Sequence, residues 1–173
     1  MASFKDRLVG VLTVDASAFE EIEHASDATS QAAIVAVIAA IASGIGGGFL
    51  AGSIGSGFMG TAVWALVSWV LWAGITYVIG CKVFDGDADF GQMLRVIGFA
   101  YAPAAFNIFS LIPIIGIVIL LLVAVWLLAS VFVGVRAGLD LDNGKVFITV
   151  FVGWFVYLIG LGIVGSIFGM IGF

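Results

Sequence analysis

Apolar residues in this chain come in long unbroken blocks, and the charged residues gather in three short clusters between them. No charged side chain stands between Ala28 and Cys81, between Val96 and Val135, or between Val146 and Phe173. As single α-helices at about 1.5 Å per residue, the first two gaps would run to roughly 80 Å and 60 Å, against a hydrocarbon core of ~30 Å. Each must therefore reverse once. The first reversal is expected in "GSIGSGF", Gly52 to Phe58, where glycine and serine favour a turn. The second is expected in "IPIIG", Ile112 to Gly116, where Pro113 removes a backbone donor and restricts its predecessor. The last gap fits one span. The pattern predicts an all-α, polytopic transmembrane bundle of five spans, roughly 32–52, 60–81, 96–112, 115–135 and 147–171.

Five is odd, so the termini face opposite sides. Threaded through this topology, every charge falls on the side of the N-terminus, including all six Lys and Arg residues. The positive-inside rule then makes the N-terminus cytoplasmic and the C-terminus exterior. Composition agrees with a lipid solvent: 63% of residues are hydrophobic, 10% are charged, and the mean hydropathy is +1.28. The net charge of −5 argues against nucleic acid as a partner and against simple attraction to anionic headgroups. The single cysteine, Cys81, excludes an internal disulfide. The first apolar run begins near Ala32, too far from Met1 for a secretory signal, so the N-terminus is expected to be retained. Residues 1–30 are read as a cytoplasmic segment and 31–173 as the membrane domain.

In the N-terminal segment, Phe4, Leu8, Val11 and Leu12 share one helical face, while Lys5, Asp6 and Arg7 lie elsewhere. Ser3 with Asp6 fits a capping-box start, and a short amphipathic helix in the headgroup plane is expected. A second helix is expected from Ser17 with Glu20 as its capping box, holding Phe19 and Ile22 as an apolar patch and sending Glu20, Glu21, Glu23 and Asp27 to water. That acidic face is a solvated surface or a docking surface for a basic protein. His24, the only histidine, stands among acids and can titrate near neutral pH.

Asp85, Asp87 and Asp89 have the alternate spacing that opens a calcium loop, but Phe90 occupies the glycine position and Val96 the glutamate position. With Asp140 and Asp142 of the second acidic turn they are weak metal candidates only. No cofactor is expected. Within the spans there is no ionisable acid or base, so a proton-coupled pump lacks its groups. Asn107 is the most unusual polar residue there, read as an interhelical hydrogen bond or a substrate contact. Gly44, Gly48, Gly52, Ser56 and Gly60 recur every four residues, and Gly165 and Gly169 repeat the spacing, as close helix packing in lipid requires. They serve packing within the bundle or contact with another membrane protein or a second copy.

The stretch "DFGQMLRVIGFAYAP" with Pro113, Gly116, Trp126 and Arg136 of "GVRAGLDLDNGK" resembles the Yip domain family, the Ypt/Rab-GTPase-interacting membrane proteins. The residues that carry it in the first stretch are Asp89, Phe90, Arg95, Gly98, Tyr101 and Pro103. The lead-in "RLVGVLTVDASAFEEI" is similar to prokaryotic members, with Asp15 near a position where proline is common. The resemblance implies five spans, a cytoplasmic N-terminus and a short exterior C-terminus. In eukaryotic relatives a long N-terminal region engages small GTPases and coat machinery; here it is short. Asp89 is expected to cap the third helix and Arg95 to reach lipid phosphate. The function expected is non-enzymatic, in a prokaryotic cytoplasmic membrane: organising membrane or binding partners, namely lipid, membrane proteins or self, and a cytoplasmic protein, through the cytoplasmic face. The alternatives are an accessory subunit of a larger membrane complex, or a passive channel or small-solute carrier with Asn107, Tyr101 and Tyr157 along its path.

Overall fold

The computed structural model describes the backbone of residues 2–50, 58–112 and 114–171 and the side chains of 2–46, 66–112 and 114–160. Among these there is no strand. Two short helices, α1 (Phe4–Leu12) and α2 (Ala16–His24), precede α3 (Ala28–Leu50), α4 (Phe58–Val83), α5 (Phe90–Ala100), a 3₁₀ segment (Ala102–Leu111), α6 (Gly116–Leu139) and α7 (Asn143–Ile171). Five segments are long and apolar enough to cross a membrane, the third being α5 and the 3₁₀ segment together, Phe90–Leu111.

Helix starts are set by polar caps at one end of the bundle. Ser3 and Asp6 form the expected capping box of α1, and Asp89 and Gln92 form one on α5. That cap starts the third span at Phe90, ahead of the expected 96. The carboxylate of Asp142 accepts from the amides of Gly144 and Lys145 and starts α7 at Asn143. The expected box of Ser17 and Glu20 is absent; Asp15 caps α2 instead, accepting from the Ser17 amide at 3.0 Å. A carboxylate that also accepts the Ser17 hydroxyl at 2.9 Å outcompetes it for the orphan amides.

The third span changes helical type at its proline. Pro103 has no N–H to give to the carbonyl four residues back and disfavours α geometry at Ala102. Beyond it the ladder tightens, the Ala104 amide reaching the Tyr101 carbonyl at 2.9 Å. A 3₁₀ run of ten residues is long for the type. At about 2.0 Å per residue it covers ~20 Å, so with ~16 Å of α5 the span still crosses the bilayer. The geometry has a second effect. Side chains three apart eclipse in a 3₁₀ helix, which lines up Tyr101, Ala104, Asn107 and Ser110 in one row. In an α-helix the first and last of these would stand on opposite faces.

That row faces a stripe of small residues on α3, and at Gly46 a Cβ would collide with the Asn107 carbonyl and the Ser110 hydroxyl. Gly46 was not among the glycines expected to pack. Gly44 is partly exposed, and Gly48, Gly52, Gly165 and Gly169 fall outside the described side chains, as do Ser56 and Gly60; Pro113 is outside the described residues too. Outward, α6 and α7 present Leu121, Leu122, Val125, Phe151, Trp154 and Ile159, the apolar exterior that lipid requires. Trp69 and Trp72 pack inside the bundle instead, and Trp154 is half-exposed.

Candidate functional site

The charged end and the bundle interior each hold a site built by polar side chains. At the charged end, α1 folds back along α2 with Val11, Phe19 and Ile22 fully buried. Between them lies Arg7, 1% exposed. Its guanidinium donates from Nε and Nη2 to Glu21 at 2.8 and 3.0 Å, from Nη1 and Nη2 to Asp27 at 3.0 and 3.2 Å, and from Nη1 to Gln31 Oε1 at 2.8 Å. All five N–H donors are thus engaged. The Arg7 hydrogen bonds hold the Glu21 and Asp27 carboxyls below the usual range. This corrects one expectation. Glu21 and Asp27 keep part of their surface in water but are not a free acidic face, because Arg7 pairs with both; helix by helix, the sequence offers them no partner.

Glu23 is a further correction. It is 3% exposed rather than water-facing, and burial pushes its carboxyl up. Gln92 Nε2 donates to Glu23 Oε1 at 2.8 Å, so the residue that caps α5 also ties it to α2. Arg95, expected at lipid phosphate, donates from Nε and Nη2 to the Glu23 backbone carbonyl, at the end of α2 where orphan carbonyls favour a cation. His24 beside it is exposed, and the Glu20 carbonyl, followed by the Glu23 carboxylate, raises its pKa. Because the folded pKa of Glu23 is raised, its contribution to stability is full below the ordinary glutamate range and lost as pH rises through the raised value. Glu23→Gln keeps an acceptor for Gln92 and does not titrate. It should melt a few degrees higher than the parent at pH 7 and show no advantage at pH 4, measured by thermal unfolding in detergent.

The loops at this end are tied as well. The Gly86 amide donates to the Gly80 carbonyl at 2.9 Å and the Asp87 amide to the Leu139 carbonyl at 3.2 Å. Asp85 and Asp140 take the left-handed conformation, at φ 56° and 51°, which short polar side chains tolerate. Among the described residues no group of three or more acids, histidines and cysteines is placed to hold a metal. Of the five weak metal candidates, Asp89 and Asp142 are spent on helix caps.

In the bundle interior, a cavity of about 250 Å³ opens between α3, α4, α6, α7 and the third span. Ala36, Ala39, Ala40 and Ser43 form its α3 wall, with Ser68 and Trp69 from α4, Leu127 from α6, and Tyr157 from α7. The 3₁₀ row supplies Ala104 and Asn107, and Tyr101 stands at its start. Asn107, Tyr101 and Tyr157, distant in sequence, are thereby brought to one place. Asn107 Nδ2 donates to Ser43 Oγ at 3.0 Å, and the Ser43 hydroxyl donates to the Ala104 carbonyl at 3.4 Å. Sequence reasoning missed Ser43 and Ser68 as members of this site, because they stand on α3 and α4 and no sequence spacing links them to Asn107.

The Yip1 domain family model matches residues 9–165, nearly the whole chain. The chain belongs to the Yip1 domain family. No curated protein and no solved structure matches it. The residues that suggested the family are spread over both sites. In this Yip1 domain Asp89 caps α5 and Phe90 packs edge-on to Tyr77 at 6.2 Å. Gly98 lets α5 approach Ala32 and Trp69, and Gly116 leaves room for the Ser110 carbonyl. Trp126 donates from Nε1 to the Leu12 carbonyl at 3.0 Å, latching the end of α1 to α6. Arg136 is exposed near the end of α6.

Proposed function

We propose that this integral membrane protein is a non-enzymatic scaffold that receives a protein partner with a basic surface on its charged end. The same reading places that end, with residues 1–30, in the cytoplasm and the protein in a prokaryotic cytoplasmic membrane. The observation that carries the proposal is that the charged end is cross-tied. Arg7 locks α1 to α2 and α3, Gln92 and Arg95 lock α2 to α5, and the Asp87 amide locks the α4–α5 loop to α6. A fixed surface loses little conformational entropy when it binds. On it Glu20, Asp85, Asp87 and Asp140 are all exposed, and the chain as a whole carries −5, a charge pattern that steers basic partners toward it.

The test is site-specific photocrosslinking in native membranes, with the probe at Asp87, at Glu20, or at Ile114 at the opposite end. The expected result is one discrete protein adduct from Asp87 and Glu20, reduced at least about tenfold when Asp85 and Asp140 are changed to Lys. The same adducts from Ile114, or none from Asp87 and Glu20, would remove the proposal.

A further inference from the structure

We propose that the cavity between α3, α4, α6, α7 and the third span binds a small neutral alcohol or phenol, an apolar body carrying one hydroxyl. Three observations converge on that chemistry. The cavity has no charged residue in its wall, and a charged ligand at this depth would have no counter-ion to offset its desolvation. Its volume of about 250 Å³ exceeds the ~150 Å³ that accommodates benzene in an apolar cavity, so a body of one or two rings, or a short branched chain, fits. Third, two lining residues carry buried polar atoms without a partner among the described residues, Ser68 Oγ and Asn107 Oδ1. Ser68 as a whole is 8% exposed.

In lipid such atoms have no bulk water to fall back on, so leaving each unpaired is costly. Asn107 is already fixed at its other amide atom by Ser43, and Ser43 is spent on Ala104. Exchanging the amide nitrogen and oxygen leaves one end of Asn107 open all the same. A ligand hydroxyl has one donor and two lone pairs. It offers a proton to an acceptor such as Asn107 Oδ1 and a lone pair to a donor such as the Ser68 hydroxyl, the two kinds of bond these atoms lack. Water offers the same pair of bonds, but it does not fill the apolar remainder formed by Ala36, Ala39, Ala40 and Leu127.

The experiment uses the full chain in nanodiscs of neutral phosphatidylcholine and the photoreactive alcohol 3-azioctanol, with adducts mapped by peptide mass spectrometry. The expected adducts lie on cavity residues such as Tyr101, Tyr157 and Trp69, and excess n-octanol displaces them while n-octane displaces them several-fold less well. Asn107→Leu should weaken alcohol labelling about fivefold, the loss of one hydrogen bond of ~1 kcal/mol. Ala40→Leu, which fills the space, should abolish it. Labelling of the outward-facing Phe151 and Trp154 should be the same in all three proteins. The wild-type competition decides the matter even where a variant fails to fold. Cavity residues labelled no more than Phe151 and Trp154, or octane competing as well as octanol, would overturn the proposal.

Discussion

Arg7→Met will detach α1 from the bundle. The variant should lose about 2 kcal/mol of stability, between the ~0–1 kcal/mol of an exposed pair and the ~3–5 kcal/mol of a fully buried one. The intermediate figure follows from the partners: Arg7 itself is buried, but Glu21 and Asp27 keep a third to a half of their surface in water. Arg7→Lys should recover only part of the loss, because an ammonium has three donors and no planar fork to span Glu21, Asp27 and Gln31 together. Acid should mimic the substitution. Arg7 depresses the Glu21 and Asp27 carboxyls, so their contribution is present above the ordinary carboxylate range and is lost as pH falls through the depressed values. Hydrogen exchange localised to residues 2–24 reads the detachment directly. In the parent these amides should open as pH falls toward 3, and in Arg7→Met they should be open at pH 7 already. Slow exchange over α1 in the variant at neutral pH would show that Val11 and the Trp126 latch hold the helix without the ion cluster.

The five-span architecture was legible in the sequence because the distribution of charge records it directly. A charged residue in a span is expensive, so the gaps Ala28–Cys81, Val96–Val135 and Val146–Phe173 mark the lipid-crossing stretches. The caps were partly legible. Ser3–Asp6 and Asp89 follow local pattern and form as read, whereas Asp15 displaces Ser17 as the α2 cap because a carboxylate is the stronger acceptor. Tertiary ion chemistry was not legible. Arg7 finds Glu21, Asp27 and Gln31 across a helix reversal, and Arg95 finds a backbone carbonyl 72 residues away, which no spacing rule encodes. The cavity was legible only in part. Tyr101, Asn107 and Tyr157 stand out in the sequence as candidates for one path, but the period of three that aligns Tyr101, Ala104 and Asn107 beyond Pro103 is not written in any α-helical spacing.

Gly98→Leu should be the most damaging single substitution among the described glycines of α5, and Gly160→Leu should be silent. In lipid the bundle gains nothing from hiding apolar surface, since acyl chains are as apolar as leucine; close backbone approach and interhelical hydrogen bonds hold helices together. Gly98 sits where α5 crosses α3 and α4 at once. A Cβ there would come within 2.7 Å of Ala32 Cβ, 3.1 Å of the Ala32 carbonyl and 3.0 Å of Trp69 Nε1. Ala32 is a fixed wall, fully buried with its carbonyl part of the helix. Trp69 cannot retreat without releasing its 2.9 Å bond to the Leu94 carbonyl, itself on α5. The added methyl must therefore part α3 from α5, and even Gly98→Ala should cost about 1–3 kcal/mol, the range for overpacking a filled site. Leucine, which adds three more carbons, should leave little folded protein. Among the described residues no heavy atom lies within 4 Å of the position a Gly160 Cβ would take, so the same leucine meets no described neighbour there. Thermal unfolding of the three variants in one detergent makes the comparison. Because Trp69 and Ala36 also line the cavity, Gly98→Ala should change its shape as well as its stability. Equal melting of Gly98→Leu and Gly160→Leu would mean that helix approach at α3, α4 and α5 is not what holds this Yip1 domain together.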